Sequence, residues 1–137
     1  MKDSNINLDL INMVQNARMA HDKDAKPSQV PGVYWIEVKP QQGKIKPPTA
    51  RTGEWQIATT LDAVDDLWAI VKQATEQGQL GYKSKVSTRP AHGQSDDDAR
   101  LICVRTYDAD DREDVERIKQ ALIERGITPM QYQRDHE

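Results

Sequence analysis

The apolar residues of this chain change their spacing several times, and this change constrains the fold more than any other feature. Residues 33–38 and 54–59 carry the β-branched, aromatic and alternating patterns that are typical of strands. Between positions 61 and 74 the apolar residues instead recur every three or four positions, which predicts one buried face of a helix. Residues 82–88 and 101–107 again have strand patterns. Short strands therefore occur in pairs, with a helix between the pairs.

The two ends of the chain add three further elements. Apolar residues at spacings of three and four predict a short amphipathic helix over residues 6–20. Asp110 and Glu113 form a capping-box pattern, which predicts the start of another helix. Residues 127–133 predict a last strand, and Pro129 restricts it to an edge or a bulge because proline cannot donate a ladder hydrogen bond. The full order is α-β-β-α-β-β-α-β.

The ends of the two central helices also have sequence signals. Thr59 or Thr60 can cap the first of them, because a threonine hydroxyl accepts hydrogen bonds from backbone N–H groups of the first turn. Gly78 and Gly126 are placed to end the two helices, since glycine readily adopts the left-handed conformation that follows a helix.

This order favours an α+β domain with an antiparallel-rich sheet and helices packed on one face. A doubly wound parallel sheet is disfavoured because strands and helices do not alternate one by one. Residues 21–31 combine charge, proline and serine without periodicity, which indicates a linker. We therefore divide the chain into an N-terminal helix and linker over residues 1–30 and a single α+β domain over residues 31–137.

Composition limits the possible function classes. The 137 residues include 19 Lys and Arg against 22 Asp and Glu, and the net charge of −3 disfavours a strongly basic nucleic-acid protein but allows a local basic patch. No apolar run approaches the roughly 20 residues of a membrane span, so no membrane partner is expected. Cys103 is the single cysteine, which excludes an intrachain disulfide and indicates a reducing compartment, the cytoplasm. The sequence does not define the oligomeric state.

Metal and cofactor motifs are absent from the sequence. The three histidines are His21, His92 and His136, and their spacing does not resemble a metal site, so neither a metal nor another cofactor is expected. The sequence contains neither a glycine-rich dinucleotide motif nor a phosphate-loop lysine motif. Cys103 lies in an apolar run and is interpreted as a small buried residue and not as a nucleophile.

The aromatic residues provide the first signal for a ligand. The chain has three Trp and four Tyr but no Phe, although Phe would serve equally well as apolar bulk. Trp68 lies on the apolar face of the first central helix and is assigned to the core. Trp35 and Trp55 lie on the two strands that flank a loop rich in lysine and proline. Either of these side chains could face the core or a ligand, because a strand has two faces.

The cations provide the second signal. Between Lys39 and Arg51 the chain carries four cations and no acid. Further cations lie at strand ends near the aromatic residues, and the candidate set is Arg51, Lys83, Lys85, Arg89 and Arg105. Aromatic faces beside fixed cations suit a planar base attached to phosphate, or a phosphorylated side chain. Alternatively, Lys85 and Arg105 point outward and pair with the acidic helix at residues 111–116.

Several strings of the sequence, taken in order, resemble one known family. The strings are Gly32-Val33-Tyr34-Trp35-Ile36, Gly53-Glu54-Trp55, Gly78-Gln79-Leu80-Gly81, Lys85-Val86-Ser87-Thr88, Ile102-Cys103-Val104-Arg105-Thr106-Tyr107-Asp108, Asp111-Arg112-Glu113-Asp114-Val115, Gly126-Ile127 and Tyr132-Gln133-Arg134-Asp135. Together they resemble the family named after basophilic-leukaemia-expressed protein (Bles), over roughly residues 31–135. This family is similar in fold to translation initiation factor 4E, which binds the mRNA cap. The resemblance therefore implies a curved antiparallel sheet backed by helices.

The resemblance implies a ligand but does not by itself transfer a function. In the cap-binding factor two tryptophans sandwich a methylated base while basic residues hold its phosphates. The resemblance suggests that Trp35 and Trp55 could be placed in the same way. Some members of the family carry a phosphothreonine-lyase label, which also implies a phosphate pocket.

Three hypotheses follow, and the first is a binding module for a phosphate-bearing ligand. The ligand would be a nucleotide, an RNA end or a phosphorylated peptide. Trp35 or Trp55 would stack on a base, at about 1 to 3 kcal/mol for one stack. Four cations would neutralise the phosphate: Arg51, Lys83, Lys85 and Arg105.

The second hypothesis is an enzyme that eliminates phosphate from phosphothreonine. Lys85 would be the base if a desolvated, cation-rich site lowers its pKa, and His92 would be the acid. Arg51 and Arg105 would hold the phosphate.

The third hypothesis is a protein-interaction module. An exposed strand edge or the acidic helix near residues 108–124 would meet a basic partner protein. This hypothesis predicts that Trp35 and Trp55 are both buried, so that mutation of either one would unfold the protein.

Overall fold

A computed structural model describes residues 25–30, 32–41, 46–91, 93–128 and 130–135. These residues form an α+β fold with two α-helices and a five-stranded sheet. The strands are β1 (Trp35–Val38), β2 (Gly53–Thr60), β3 (Lys83–Ser87), β4 (Ala99–Thr106) and β5 (Gln131–Arg134), and the helices are α1 (Val64–Glu76) and α2 (Arg112–Glu124). The helix predicted over residues 6–20 lies outside the described residues.

All strand pairs of the sheet are antiparallel, and the spatial order is β1-β3-β4-β2-β5. The expectation of an antiparallel sheet is therefore confirmed. β5 lies at one edge, as the proline near its start predicts. Two strand boundaries differ from the sequence pattern: β1 begins two residues late, at Trp35, and β5 covers only residues 131–134.

The core lies between the helices and one face of the sheet. Ile36, Val86, Ile102 and Ile57 are aligned across four neighbouring strands, and each is at most 2% exposed. Buried residues of both helices, including Trp68, belong to the same apolar cluster. At about 25 cal/mol per Å² of buried apolar surface, this cluster is the main source of stability.

Helix α1 buries the predicted apolar stripe but begins later than the sequence suggests. Its N-cap is Ala63, which makes no side-chain capping bond, so the predicted cap at Thr59 or Thr60 is wrong. The physical reason is that both threonines are still paired with β4 as the last residues of β2. Gly78 follows the helix with a φ of 75°, in agreement with its predicted role.

Helix α2 is capped by Asp111, one residue beyond the predicted capping residue. The Asp111 carboxylate accepts a hydrogen bond from the Asp114 N–H at 3.2 Å. Asp110 instead forms ion pairs with Arg51 and Arg134, so its side chain points away from the first turn of the helix.

The end of the predicted linker packs against the domain. Residues Pro27–Gln29 form a short 3-10 helix in which Pro27 is buried. The Ser28 backbone N–H donates to a carboxylate oxygen of Asp65 at 3.0 Å, and the Ser28 hydroxyl donates to the other oxygen at 2.5 Å. Residues 25–30 are therefore attached to the start of α1. In the part of the chain that the structure describes, neither helix is long and apolar enough to cross a membrane.

Candidate functional site

The predicted ligand-binding side chains are divided between the two faces of the sheet. Side chains alternate along a strand, so the face opposite to the helices carries Trp35, Lys83, Lys85, Cys103 and Arg105. We call this the open face. Trp55 has the same orientation as Ile57 on β2 and lies on the helix-covered face. The two tryptophans therefore cannot sandwich one base.

Trp55 is a core residue with a fixed hydrogen bond. Its side chain is buried, and the indole N–H donates to the backbone carbonyl of Val115 at 2.9 Å. The Tyr132 ring packs edge-on against it, with 5.0 Å between ring centroids. Helix α2 and strand β5 therefore cover the indole of Trp55, and the structure places this side chain in the core.

Trp35 lies on the open face at the edge of the sheet and is partly exposed. The Lys85 ammonium is 4.2 Å from the centroid of the indole ring, in a cation–π contact. The centroid of the neighbouring Tyr34 ring lies 5.2 Å from the centroid of the Trp35 ring. Trp35 is thus the one of the two candidate tryptophans that remains accessible to a ligand.

Arg105 is held by carboxylates of this chain, which match its charge. Its guanidinium donates to the buried Glu54 at 2.8 Å and to both carboxylate oxygens of the partly exposed Asp135. The hydrogen bonds to Asp135 are the largest cause of the raised pKa of Arg105. The alternative pairing of Arg105 with the acidic helix is also wrong, since its partners lie on β2 and beyond β5.

Arg51 is likewise engaged by acids. Its guanidinium lies 2.6 Å from a carboxylate oxygen of Asp108 and 3.2 Å from one of Asp110. The hydrogen bond from Arg51 is the largest cause that holds the pKa of Asp108 below its usual value. Both predicted arginine clamps therefore have their charge matched within the protein.

Lysines instead converge on an open hollow beside the end of β1. The hollow has a volume of about 360 Å³ and is lined by Lys39, Pro40, Lys46, Pro48, Tyr82 and Lys83. Lys83 lies 3.4 Å from a carboxylate oxygen of Glu37. Among the described residues, no carboxylate lies within 4 Å of the ammonium groups of Lys39 and Lys46. The hollow therefore carries excess positive charge.

Hydrogen bonds attach the described parts of the lysine-rich loop, residues 39–41 and 46–52, to the rest of the domain. The Gln41 N–H donates to the carbonyl of Glu76, the last residue of α1, at 2.8 Å. The Thr49 N–H donates to the carbonyl of Tyr107 at 2.9 Å, and the Lys46 ammonium lies 4.9 Å from the Tyr107 ring centroid. These contacts attach the loop to the helix and to the end of β4.

Tyr82 is positioned by the glycine that precedes it. A Cβ atom on Gly81 would lie 1.6 Å from the Arg105 carbonyl oxygen, so only glycine permits this approach of the two backbones. The Tyr82 hydroxyl accepts a hydrogen bond from Arg105 Nε at 3.0 Å. Arg105, itself held by acids, thereby fixes one wall of the hollow.

The groups required for the lyase hypothesis are not assembled by the described residues. Lys85, the expected base, contacts the Trp35 ring, and both arginine clamps are occupied. His92 lies outside the described residues. Burial and the charge of Glu54 raise the pKa of the Cys103 thiol, which keeps it protonated. The part of the chain that the structure describes contains no cluster of acidic, histidine or cysteine residues able to hold a metal ion.

A second hollow of about 290 Å³ lies at the opposite side of the open face. It is lined by Gln56, Ala58, Leu101, Met130 and Gln131. None of these side chains carries a charge, so this hollow does not offer a phosphate site.

Sequence reasoning found one of the four charged or aromatic residues around the lysine hollow, which is Lys83. It did not select Lys39, Lys46 or Tyr82. A signal for the two lysines was available, because the stretch from Lys39 to Arg51 contains cations and no acid. Tyr82 had no signal in its own sequence context.

The comparison with protein families identifies the group to which this chain belongs. The family model described as "Basophilic leukemia-expressed protein Bles03" matches residues 46–135, which include β2 to β5 and both helices. The chain is a member of the Bles03 family. No curated protein matches it.

Proposed function

We propose that this protein is a binding module for a phosphate-bearing ligand, which occupies the lysine hollow. The observation that carries the proposal is that Lys39, Lys46 and Lys83 line one open cavity. Among the described residues, Glu37 provides the only carboxylate within 4 Å of any of these three ammonium groups. Three ammonium groups provide up to nine N–H donors, and a phosphate group provides acceptors only. An anion in the hollow would therefore neutralise charges that the described residues leave largely unpaired.

The walls of the hollow suit an organic group attached to the phosphate. The Tyr82 ring and the two prolines provide apolar surface beside the lysines. Such a mixture of apolar walls and a few charged groups is typical of small-molecule sites. A nucleotide, an RNA end and a phosphorylated side chain all combine these features, and they form the candidate ligand class.

A likeness to the cap-binding initiation factor 4E is part of this proposal. That factor also holds the phosphates of its ligand with basic residues, beside a sheet backed by helices. The base would here rest on different aromatic residues, because Trp55 is buried. We further propose a cytoplasmic location, where the free thiol of Cys103 is kept reduced.

Calorimetric titration tests the proposal with matched pairs of ligands. The pairs are guanosine triphosphate with guanosine, and a phosphothreonine peptide with its unphosphorylated form. We expect binding only to phosphate-bearing members. Replacement of Lys46 by glutamine removes one charge-assisted contact, worth roughly 1.5 to 3 kcal/mol, so the affinity falls by about tenfold or more.

Lys119→Gln is the matched control for this titration. Lys119 lies 5.6 Å from the Trp55 ring on the helix-covered side, so its replacement removes the same charge without touching the hollow. We expect this variant to bind as the wild type does. The proposal fails if no phosphate-bearing ligand binds at millimolar concentration, or if Lys46→Gln and Lys119→Gln weaken binding equally.

A further inference from the structure

The positive charge of the lysine hollow continues along β3. Lys83 lies in the hollow, Lys85 follows on the same open face, and Arg89 lies just beyond the end of the strand. We call the five residues Lys39, Lys46, Lys83, Lys85 and Arg89 the cation track. Among the described residues, Glu37 provides the only carboxylate within 4 Å of any of these five cations. The track is therefore basic although the whole chain has a net charge of −3.

The cation track is too long for one phosphate group. From Lys83 to Ser87 the strand rises by about 13 Å, at roughly 3.3 Å per residue, and Arg89 lies beyond that point. A single phosphate would contact the hollow and leave Lys85 and Arg89 unused. Several phosphates in a row would use the whole track.

Aromatic rings accompany the cations along this length. Besides the Lys85 contact with Trp35, the Arg89 guanidinium lies 5.1 Å from the Tyr34 ring centroid. At the other end, the Lys46 ammonium lies 4.9 Å from the Tyr107 ring. Alternating cations and aromatic rings are typical of proteins that bind single-stranded nucleic acid, in which the bases stack on rings and the cations follow the backbone.

We propose that the cation track binds a single-stranded nucleic acid, with a phosphate of the strand in the lysine hollow and the following nucleotides along β3. This inference rests on the proposed function and narrows its ligand class to an oligonucleotide. A phosphorylated peptide is less suited, because it lacks a planar group beside each phosphate. A duplex is also less suited, because its bases are stacked on each other and cannot reach Trp35 or Tyr34.

The salt dependence of affinity tests this inference directly. The probe is a fluorescently labelled single-stranded ten-nucleotide RNA, whose binding is followed by anisotropy. For single strands the logarithm of the binding constant falls with the logarithm of salt by about 0.7 per neutralised phosphate. With four to five cations in contact, we expect a slope near −3, which is a loss of about 60-fold between about 50 and 200 mM salt.

Two variants and one control locate the contacts. Lys85→Gln and Arg89→Gln each remove one cation beyond the hollow, so each is expected to reduce the slope by about 0.7. Lys119→Gln is expected to leave the slope unchanged. The melting temperature of each variant is measured in parallel, because a folding defect lowers it. Each variant is also titrated with guanosine triphosphate, and a folding defect would weaken that binding as well.

The outcomes separate this inference from the proposed function. One outcome is that guanosine triphosphate binds through Lys46, while the oligonucleotide binds no more tightly and its affinity is unchanged by Lys85→Gln and Arg89→Gln. This outcome contradicts nucleic-acid binding by the cation track but leaves phosphate binding in the lysine hollow intact. Equal binding of duplex RNA or of a multiply phosphorylated peptide also overturns the inference. If none of the phosphate-bearing ligands binds, including the phosphothreonine peptide, the proposed function itself fails.

Discussion

Replacement of Arg105 by glutamine is expected to lower the free energy of unfolding by about 3 kcal/mol at neutral pH. The reason is the burial of its partner, since Glu54 is only 8% exposed. Without the guanidinium, the Glu54 carboxylate would stay in the interior as a charge without its main counterion. Urea unfolding followed by circular dichroism measures the loss.

The pH dependence of this loss has a defined sign. Burial is the largest influence on Glu54 and raises its pKa, but hydrogen bonds from Gln56, Cys103 and Arg105 and the charge of Lys85 together lower it below the usual value. In the wild type, the stability from this group is present above the unfolded pKa near 4.5 and is lost as the pH falls through the folded pKa. Removal of Arg105 moves the Glu54 pKa upward. The difference in the free energy of unfolding between variant and wild type therefore becomes smaller at acidic pH, where Glu54 is protonated in both proteins.

Arg51→Gln is the matched control for the Arg105 variant. The Arg51 side chain is 55% exposed, and exposed ion pairs contribute little because water and salt screen them. We therefore expect a much smaller change in the urea midpoint. Two results would contradict this account of the ion pair. One is an equal loss of unfolding free energy in the two variants, and the other is a loss for Arg105→Gln that stays constant from neutral to acidic pH.

Replacement of Trp55 by alanine is expected to cost about 4 kcal/mol of stability, because it leaves a large cavity in the core. It also leaves the Val115 carbonyl without its indole donor and the Tyr132 ring without its packing partner. Many domains of this size have only about 5 to 15 kcal/mol in total, so the variant should be partly unfolded at elevated temperature. Thermal unfolding by calorimetry measures the effect.

Trp35→Ala provides the comparison for the Trp55 variant. Trp35 is partly exposed at the sheet edge, so its removal should cost clearly less stability than the removal of Trp55. It should instead weaken binding of the single-stranded RNA. A similar loss of stability for both variants is what the protein-interaction hypothesis predicts, and this result would contradict the assignment of Trp35 to the open face.

The hydrophobic spacing predicted the elements of the fold well, because local periodicity determines which face of each element is buried. The apolar stripe of α1 and the alternation in β2 are both present as expected. The predicted positions at which the two helices begin were less accurate. Thr60 and Asp110 both have side chains that can cap a helix. However, Thr60 pairs with Ala99 in the sheet, and Asp110 forms an ion pair with Arg51.

The orientation of the two tryptophans could have been predicted from their neighbours. Ile36 and Val38 are the apolar positions of β1, so Trp35 shares the opposite face with Glu37. On β2, Glu54 and Gln56 mark the open face, which assigns Trp55 to the core. The polar residues of each strand were a better guide to orientation than the aromatic residues.

The partners of the cations could not be predicted from the sequence, because they depend on contacts between distant residues. Arg105 meets Glu54, which is 51 positions away, and Asp135, which is 30 positions away. The lysine hollow similarly requires β1 and β3 to be neighbours, although β2 and α1 lie between them in the chain. This strand order follows from tertiary packing and has no local signal.

The central claim is that the lysine hollow binds phosphate, and nuclear magnetic resonance with inorganic pyrophosphate tests it most directly. Amide chemical shifts are recorded at millimolar pyrophosphate. The account predicts that the largest shifts occur at Lys39, Lys46, Tyr82 and Lys83, with little change at Lys119. Largest shifts on the helix-covered side of the sheet, or no shifts at these concentrations, would contradict it.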